Sequence, residues 1–192
     1  MHILVVMAHP AGPSLTRSVA SSFLDAGAAL GHTVELVDLV AEGFDPVFGP
    51  ADHAAFTAAG PTSRDVRREQ QRIDRADHLI LVYPVYWWSL PAVLKGWIDR
   101  VFVSGWAFEE DVDGGIVKKL GRLNVHLIAL AGASAATYAK HGYRDAMRAQ
   151  IDHGIFDFCG ATVVTSELVD GQTDDLASLP ARVASLIGCH LA

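Results

Sequence analysis

"HLILVYPVYWWSLPAVLKGWIDRVF", residues 78–102, decides the fold. "HLILVY" (78–83) is a short apolar run without alternation, the pattern of a strand covered by helices on both faces of a parallel sheet. The run breaks at Pro84. Beyond it a helix is expected over 91–103: Pro91 suits a first turn, Ser89 is a candidate cap, and Val93, Leu94, Trp97, Ile98, Val101 and Phe102 keep helical spacing. Between strand and helix lies "PVYWWSLP" (84–91), which places Trp87 and Trp88 just past the carboxyl end of a strand. Flat aromatic side chains framed by backbone donors and acceptors suit a planar heteroaromatic ligand with a polar edge. On spacing alone, a core plug or a dimer contact explains the same two rings nearly as well.

Working outward, "ILVVM" (3–7), "TVELVDL" (33–39), "VHLIAL" (125–130) and "ATVVTSEL" (161–168) read as four more strands. Helical patterns alternate with them at 14–30, 64–76, 143–158 and 174–188, the first opening at Ser14 and ending at Gly31. Five strands with alternating helices and right-handed crossovers predict an α/β doubly wound parallel sheet with helices on both faces. The flavodoxin-like order 2-1-3-4-5 leads, in one domain spanning 1–192. Ligands of such sheets sit outside the carboxyl ends of the strands at the switch point, so function belongs in the loops after strands 1, 3 and 4. Two long excursions, 41–63 and 103–122, exceed ordinary loop length and read as lids or partner surfaces, with plain spacers as the bland alternative.

Composition narrows the function classes. The chain has 192 residues, 51% hydrophobic and 19% charged, enough for a sizeable core without disulfides or a structural metal. A formal net charge of −7 with no Lys/Arg cluster argues against a nucleic-acid partner or an anionic membrane surface. Cys159 and Cys189 fit no redox or metal motif, and the histidines show no ligand spacing, so no metal is expected. "MHILVVMAHP" carries no basic leader and no apolar stretch reaches spanning length, so a cytoplasmic protein without membrane insertion is expected.

The loop after strand 1, "AHPAGPSLT" (8–16), leads small and hydroxyl-bearing residues into a helix start, where N–H groups, Ser14, Thr16 and His9 can meet a phosphate. An ordinary capping turn is as good a reading of these residues alone. Neither G-x-G-x-x-G nor G-x-x-x-x-G-K-[ST] occurs, which tells against a Rossmann dehydrogenase and a P-loop nucleotidase. A receiver domain would need acids where Ala8-His9-Pro10 and Tyr83-Pro84 stand. After strand 4, "LAGASAATY" (130–138) offers small residues for close backbone approach and the phenol of Tyr138; His141, Tyr143 and Arg144 follow.

"EQQRIDRADHLILVYPVYWWSLPAVLKGWIDRVF" (69–102) closely resembles the signature segment of the flavin-dependent NAD(P)H:quinone oxidoreductases, the DT-diaphorase family, including its smaller bacterial members. "AHPAGPSLT", "GFDPVF" (43–48), "GASAATY" and "FCG" (158–160) extend the likeness over nearly the whole chain. The resemblance implies a homodimer with sites at the interface, bound FMN or FAD, NAD(P)H as co-substrate and a quinone-like acceptor. It also implies ping-pong kinetics, with one slot used by both substrates. By position, His9, Leu15 and Thr16, beside Ser14, would hold the phosphate and ribityl part. Pro84, Val85, Tyr86, Trp87 and Trp88 would line the flavin ring, with main-chain contacts from 85–87. Ala131, Gly132 and Ala133 would face its other edge. Tyr138 matches the family's active-site tyrosine; its histidine falls on Arg144, with His141 and Tyr143 near enough to substitute if the loop is shifted. Phe108 falls where a partner-chain aromatic overhangs the pocket, making Trp106–Phe108 a candidate lid.

Departures are informative. Thr16 stands for an asparagine common in mammalian relatives, "LAGA" (130–133) for their "TTGG", and their C-terminal extension is missing. The adenine half of FAD is thus left without expected partners, so FMN is at least as well suited. Two other readings stay open: a flavodoxin-type electron carrier, and a regulatory or sensory flavoprotein without significant turnover. Azo or nitro acceptors are not separable from quinones.

Overall fold

The computed structural model describes residues 1–58, 62–170, 178 and 185. The expected helix at 174–188 and Cys189 therefore lie outside the described residues, apart from positions 178 and 185. Five parallel strands form the sheet: β1 (His2–Met7), β2 (Thr33–Asp38), β3 (His78–Pro84), β6 (Asn124–Ala131) and β7 (Thr162–Asp170). A separate hairpin supplies β4 (Phe108–Glu110) and β5 (Ile116–Lys118). The sheet order is β2-β1-β3-β6-β7, which is 2-1-3-4-5 counted over its own strands.

The unbroken apolar runs now have their explanation. Ile80 and Val82 of β3 join Ile3, Val5 and Met7 of β1 beneath α1 (Leu15–Ala29), whose Val19, Ala20 and Phe23 face them. Leu79, Leu81 and Tyr83 turn the other way, onto Ile73 of α3 (Arg64–Arg75) and Leu94, Trp97 and Val101 of α4 (Ala92–Val101). Alternate side chains of one strand thus enter two different cores; the buried polar residues His78 and His126 meet each other at 3.0 Å at the opposite end of β3 from the Pro84 loop.

The two long excursions hold structure of their own. Residues 41–63 contain α2 (Pro50–Ala58), and 103–122 contains the β4–β5 hairpin. The first is anchored by Arg100, buried at the end of α4. Its guanidinium donates to Asp52 at 3.0 Å, Asp65 at 2.7 Å and the Asp45 carbonyl at 2.8 Å, and lies 5.3 Å from the Phe44 ring. Gly96 permits the contact, because a Cβ there would come within 2.2 Å of the Pro46 carbonyl oxygen.

Three expectations need correction. Ser89 does not cap α4: Pro91 holds that position, and the Ser89 main chain is engaged in a turn described below. The loop after β6 is shorter than expected because Ser134 caps a helix, α5 (Ala135–His141), which ends at Gly142 in the left-handed region. The single helix expected at 143–158 is α6 (Tyr143–Met147) running on into a π-helical stretch, Arg148–Asp157. Nothing in the sequence accounts for that wider winding.

Candidate active site

The loops after β1, β3 and β6 all leave the carboxyl edge of the sheet. β1 is the strand where the order reverses, with β2 on one side and β3 on the other. Here Val85, Trp87, Trp88, Gly132, Ala133 and Tyr138 line an open cleft of about 150 Å³.

The wall from β3 is a tight turn. Tyr86 and Ser89 exchange both main-chain hydrogen bonds at 3.1 Å, and the two residues between them have positive φ, 48° at Trp87 and 60° at Trp88. A two-residue connection of this kind ordinarily takes Asn-Gly, since Cβ makes the left-handed region costly. Bulky residues there are strained, and such strain gathers at functional sites. Trp87 is left 92% exposed. Trp88 is half-buried, packed edge-on against Tyr138 with centroids 5.3 Å apart and face-to-face on Tyr143 at 3.9 Å and 15°. A ring pair of this kind contributes about 0.5–1.5 kcal/mol beyond the area it buries.

The main-chain donors are divided. Val85 donates to the Leu130 carbonyl at 2.9 Å and Tyr86 to Ser89, so neither N–H is open to a ligand. Among the described residues, the N–H groups of Trp87 and Trp88 have no partner. Across the cleft, Gly132 is exposed, and a Cβ built there would meet nothing within 4 Å. Ala131 is buried at the end of β6 and Ala133 half-buried beyond it. Tyr138 is buried, and desolvation pushes its phenol above the ordinary tyrosine value, so it stays a protonated donor.

The β1 loop is built around the start of α1. The Ser14 hydroxyl accepts from the Arg17 N–H at 3.2 Å, which leaves the Leu15 and Thr16 N–H groups as first-turn donors without an intrahelical acceptor. His9 is half-buried and its Nδ1 accepts from the Ala11 N–H at 3.1 Å. Thr16 is buried, so its hydroxyl is turned away from the surface, whereas Leu15 is exposed. Arg17, which sequence reasoning passed over, pairs with Asp38 and donates to the Gly12 carbonyl at 2.8 Å, fixing the loop.

Other expected site residues stand apart from the cleft. Arg144 is exposed and lines a different cavity, together with Tyr83, Arg148, Asp152 and Glu167. His141 stacks on Tyr143 at 5.3 Å, and so reaches the cleft wall only through that ring. Trp106 donates its ring N–H to the Asp74 carboxylate at 3.2 Å, and Phe108 packs on Phe158 at 5.1 Å. Within one chain neither lines the cleft. Trp97 is wholly core, donating to Glu69 at 3.2 Å. Cys159 is buried, its thiol pushed up to about 11 by desolvation. Among the described residues no cluster of three metal-ligating side chains occurs, and no helix is long and apolar enough to cross a membrane.

The family model described as flavodoxin-like fold matches residues 1–186. Ribosyldihydronicotinamide dehydrogenase [quinone] of Pongo abelii is 31% identical over 189 residues, covering 86% of this chain and 80% of that protein. The chain belongs to the flavodoxin-like NAD(P)H:quinone oxidoreductase family. A second family member, an uncharacterized NAD(P)H oxidoreductase of Haemophilus influenzae, is 29% identical, with 88% of this chain and 83% of that protein covered. The family's solved structures include an NAD(P)H:quinone oxidoreductase from Methanothermobacter marburgensis. It matches with TM-score 0.85 and 28% identity, covering 96% of this chain and 94% of that one.

Proposed function

We propose that this protein is a flavin-dependent NAD(P)H oxidoreductase passing a hydride from NAD(P)H through bound FMN or FAD to a quinone or similar aromatic acceptor. The observation that carries the proposal is the Trp87–Trp88 turn facing Gly132 across a cleft between the β3 and β6 loops at the sheet's carboxyl edge. The relatives' own names supply the substrate class: one specifies ribosyldihydronicotinamide and quinone, another NAD(P)H and quinone.

The cleft's donor set suits a flavin. Its aromatic wall matches a flat ring, and the N–H groups of Trp87 and Trp88, without a partner among the described residues, suit that ring's polar edge. Gly132 and Ala133 allow close approach on the other side. The start of α1, with Ser14, Leu15 and Thr16 and with His9 nearby, suits the phosphate, since N–H groups and helix dipole both favour an anion. Such a group supplies the two-electron chemistry; the protein positions it and tunes its charge. Trp88 and Tyr138 exclude water from one flank, and Tyr138 holds a proton at Oη that can be offered to negative charge developing nearby. The acceptor would follow NAD(P)⁺ into the same slot, giving ping-pong kinetics.

The reading includes one domain acting in the cytoplasm as a homodimer. Phe108 and Trp106 would then meet the cleft of the other copy. Reconstitution with FMN and with FAD, followed by anaerobic NADPH and then a small benzoquinone, tests the proposal. Flavin bands should bleach with NADPH and recover with quinone. A bound flavin that NADPH leaves oxidised would point to a carrier or sensor, and failure to bind either flavin would overturn the site.

A further inference from the structure

We infer that Tyr143 is a positioning residue of this cleft: its ring clamps Trp88 in place and thereby sets the width of the slot for the aromatic acceptor. The inference rests on the flavin-site reading above and gives Tyr143 a packing role in place of the histidine's.

Trp88 needs a clamp. Its φ of 60° lies in a region that bulky side chains leave readily, its ring is half-buried, and its neighbour in the turn, Trp87, stands in solvent. Two rings restrain it. Tyr138 meets it edge-to-face, with planes 80° apart, while Tyr143 covers a face at 3.9 Å with planes 15° apart. Tyr138 and Tyr143 also meet edge-to-face at 6.3 Å, so the three rings brace one another.

Tyr143 is itself held. Gly142 has φ 68°, a value that favours glycine, and its reversal ends α5 and lets α6 begin at Tyr143. The Ala146 N–H donates to the Gly142 carbonyl at 3.0 Å, and His141 stacks on Tyr143 with planes 24° apart. A helix-to-helix corner therefore delivers one ring onto one tryptophan. Since Tyr143 occupies a face of Trp88, the indole acts as a fixed wall of the slot. Removing Tyr143 frees that wall to swing, widening the slot and loosening whatever ring stacks within it.

The test uses the full-length protein labelled with 5-fluorotryptophan, whose four tryptophans report separately by ¹⁹F NMR; Trp88→Phe assigns the resonance of interest. In flavin-free protein, Tyr143→Leu should move the Trp88 signal and leave those of Trp87, Trp97 and Trp106 in place. In FMN-loaded protein it should raise KM for a benzoquinone about two- to tenfold, the equivalent of one lost ring contact, with kcat within about twofold. The ratio of kcat/KM for a naphthoquinone over a benzoquinone should rise. Tyr143→Phe, which keeps the ring, should restore the Trp88 signal and KM together. An unmoved Trp88 signal, an unchanged KM despite a moved signal, or a Phe variant as impaired as Leu would each overturn the inference. If Tyr143→Leu does not fold, Tyr143→Met is read in the same way. Wild-type protein that binds no flavin would sink the functional reading instead, and the flavin-free spectra would still report whether Tyr143 clamps Trp88.

Discussion

Trp87 should be a residue whose removal stabilises the flavin-free protein. With φ 48° it occupies the left-handed region at a cost of about 1–2 kcal/mol for a residue bearing Cβ. Its ring is 92% exposed, so it buries only on the order of 20 Å² and gains about 0.5 kcal/mol from burial. Asparagine tolerates this backbone region far better, and its flanking hydrogen bonds, donated by the main chains of Tyr86 and Ser89, do not depend on the side chain. The balance for Trp87→Asn is a gain of about 1 kcal/mol, or about 2–4 °C in Tm for a chain of this size. Thermal or urea unfolding of flavin-free protein measures it. The same substitution should weaken flavin binding, because it removes an aromatic wall, so stability and affinity move in opposite directions. Trp88→Asn at the adjacent position should instead destabilise, since it deletes a half-buried ring stacked on Tyr143 and Tyr138. If Trp87→Asn lowers Tm in the flavin-free protein, the ring is contributing packing there and the idea of stored strain fails.

Arg100→Met should destabilise by about 3 kcal/mol, because it strands the Asp52 carboxylate, whose side chain is only 8% exposed. Asp65 adds less, being 41% exposed. Burial works against Asp65's charge, yet the Ser63 hydroxyl and Arg100 hold its carboxyl down at about 2. Its lowered folded-state value means that its stabilisation is present above the ordinary carboxylate range and is lost as pH falls through about 2. Asp52→Asn in the Arg100→Met background should recover part of the loss in urea unfolding, and a single variant within 1 kcal/mol of wild type would refute the anchor. Tyr138→Phe should slow flavin reduction by NADPH at least tenfold in stopped flow, as loss of a preorganised donor does. Burial raises the wild-type phenol's pKa, so the rate should show no tyrosine ionisation below about pH 10. A variant as fast as wild type would remove Tyr138 from the chemistry.

Much of the site was legible as loops. Trp87, Trp88, Gly132, Ala133 and Tyr138 all come from stretches that the sequence marks as lying past strand ends, and the structure gathers them around one cleft. Arg144 was less legible. It follows Tyr138 closely in sequence, but the turn at Gly142 carries it to the cavity that Tyr83 and Asp152 share. Thr16 looked like a hydroxyl donor, yet α1 begins in a phase that buries it.

Strand positions, sheet order and the edge bearing the site followed from the sequence itself. Apolar periodicity is a local property, and burial on both faces of a parallel sheet leaves an unbroken signature in "HLILVY". The sign of φ at Trp87 and Trp88, the Tyr143 ring on Trp88 and the convergence of Asp45, Asp52 and Asp65 on Arg100 were decided by tertiary structure alone. The ring contact and the Arg100 cluster join side chains from segments distant along the chain, and the positive φ values run against the local preference of bulky residues. Close packing in three dimensions, which local spacing does not encode, selects among the conformations that the sequence leaves open.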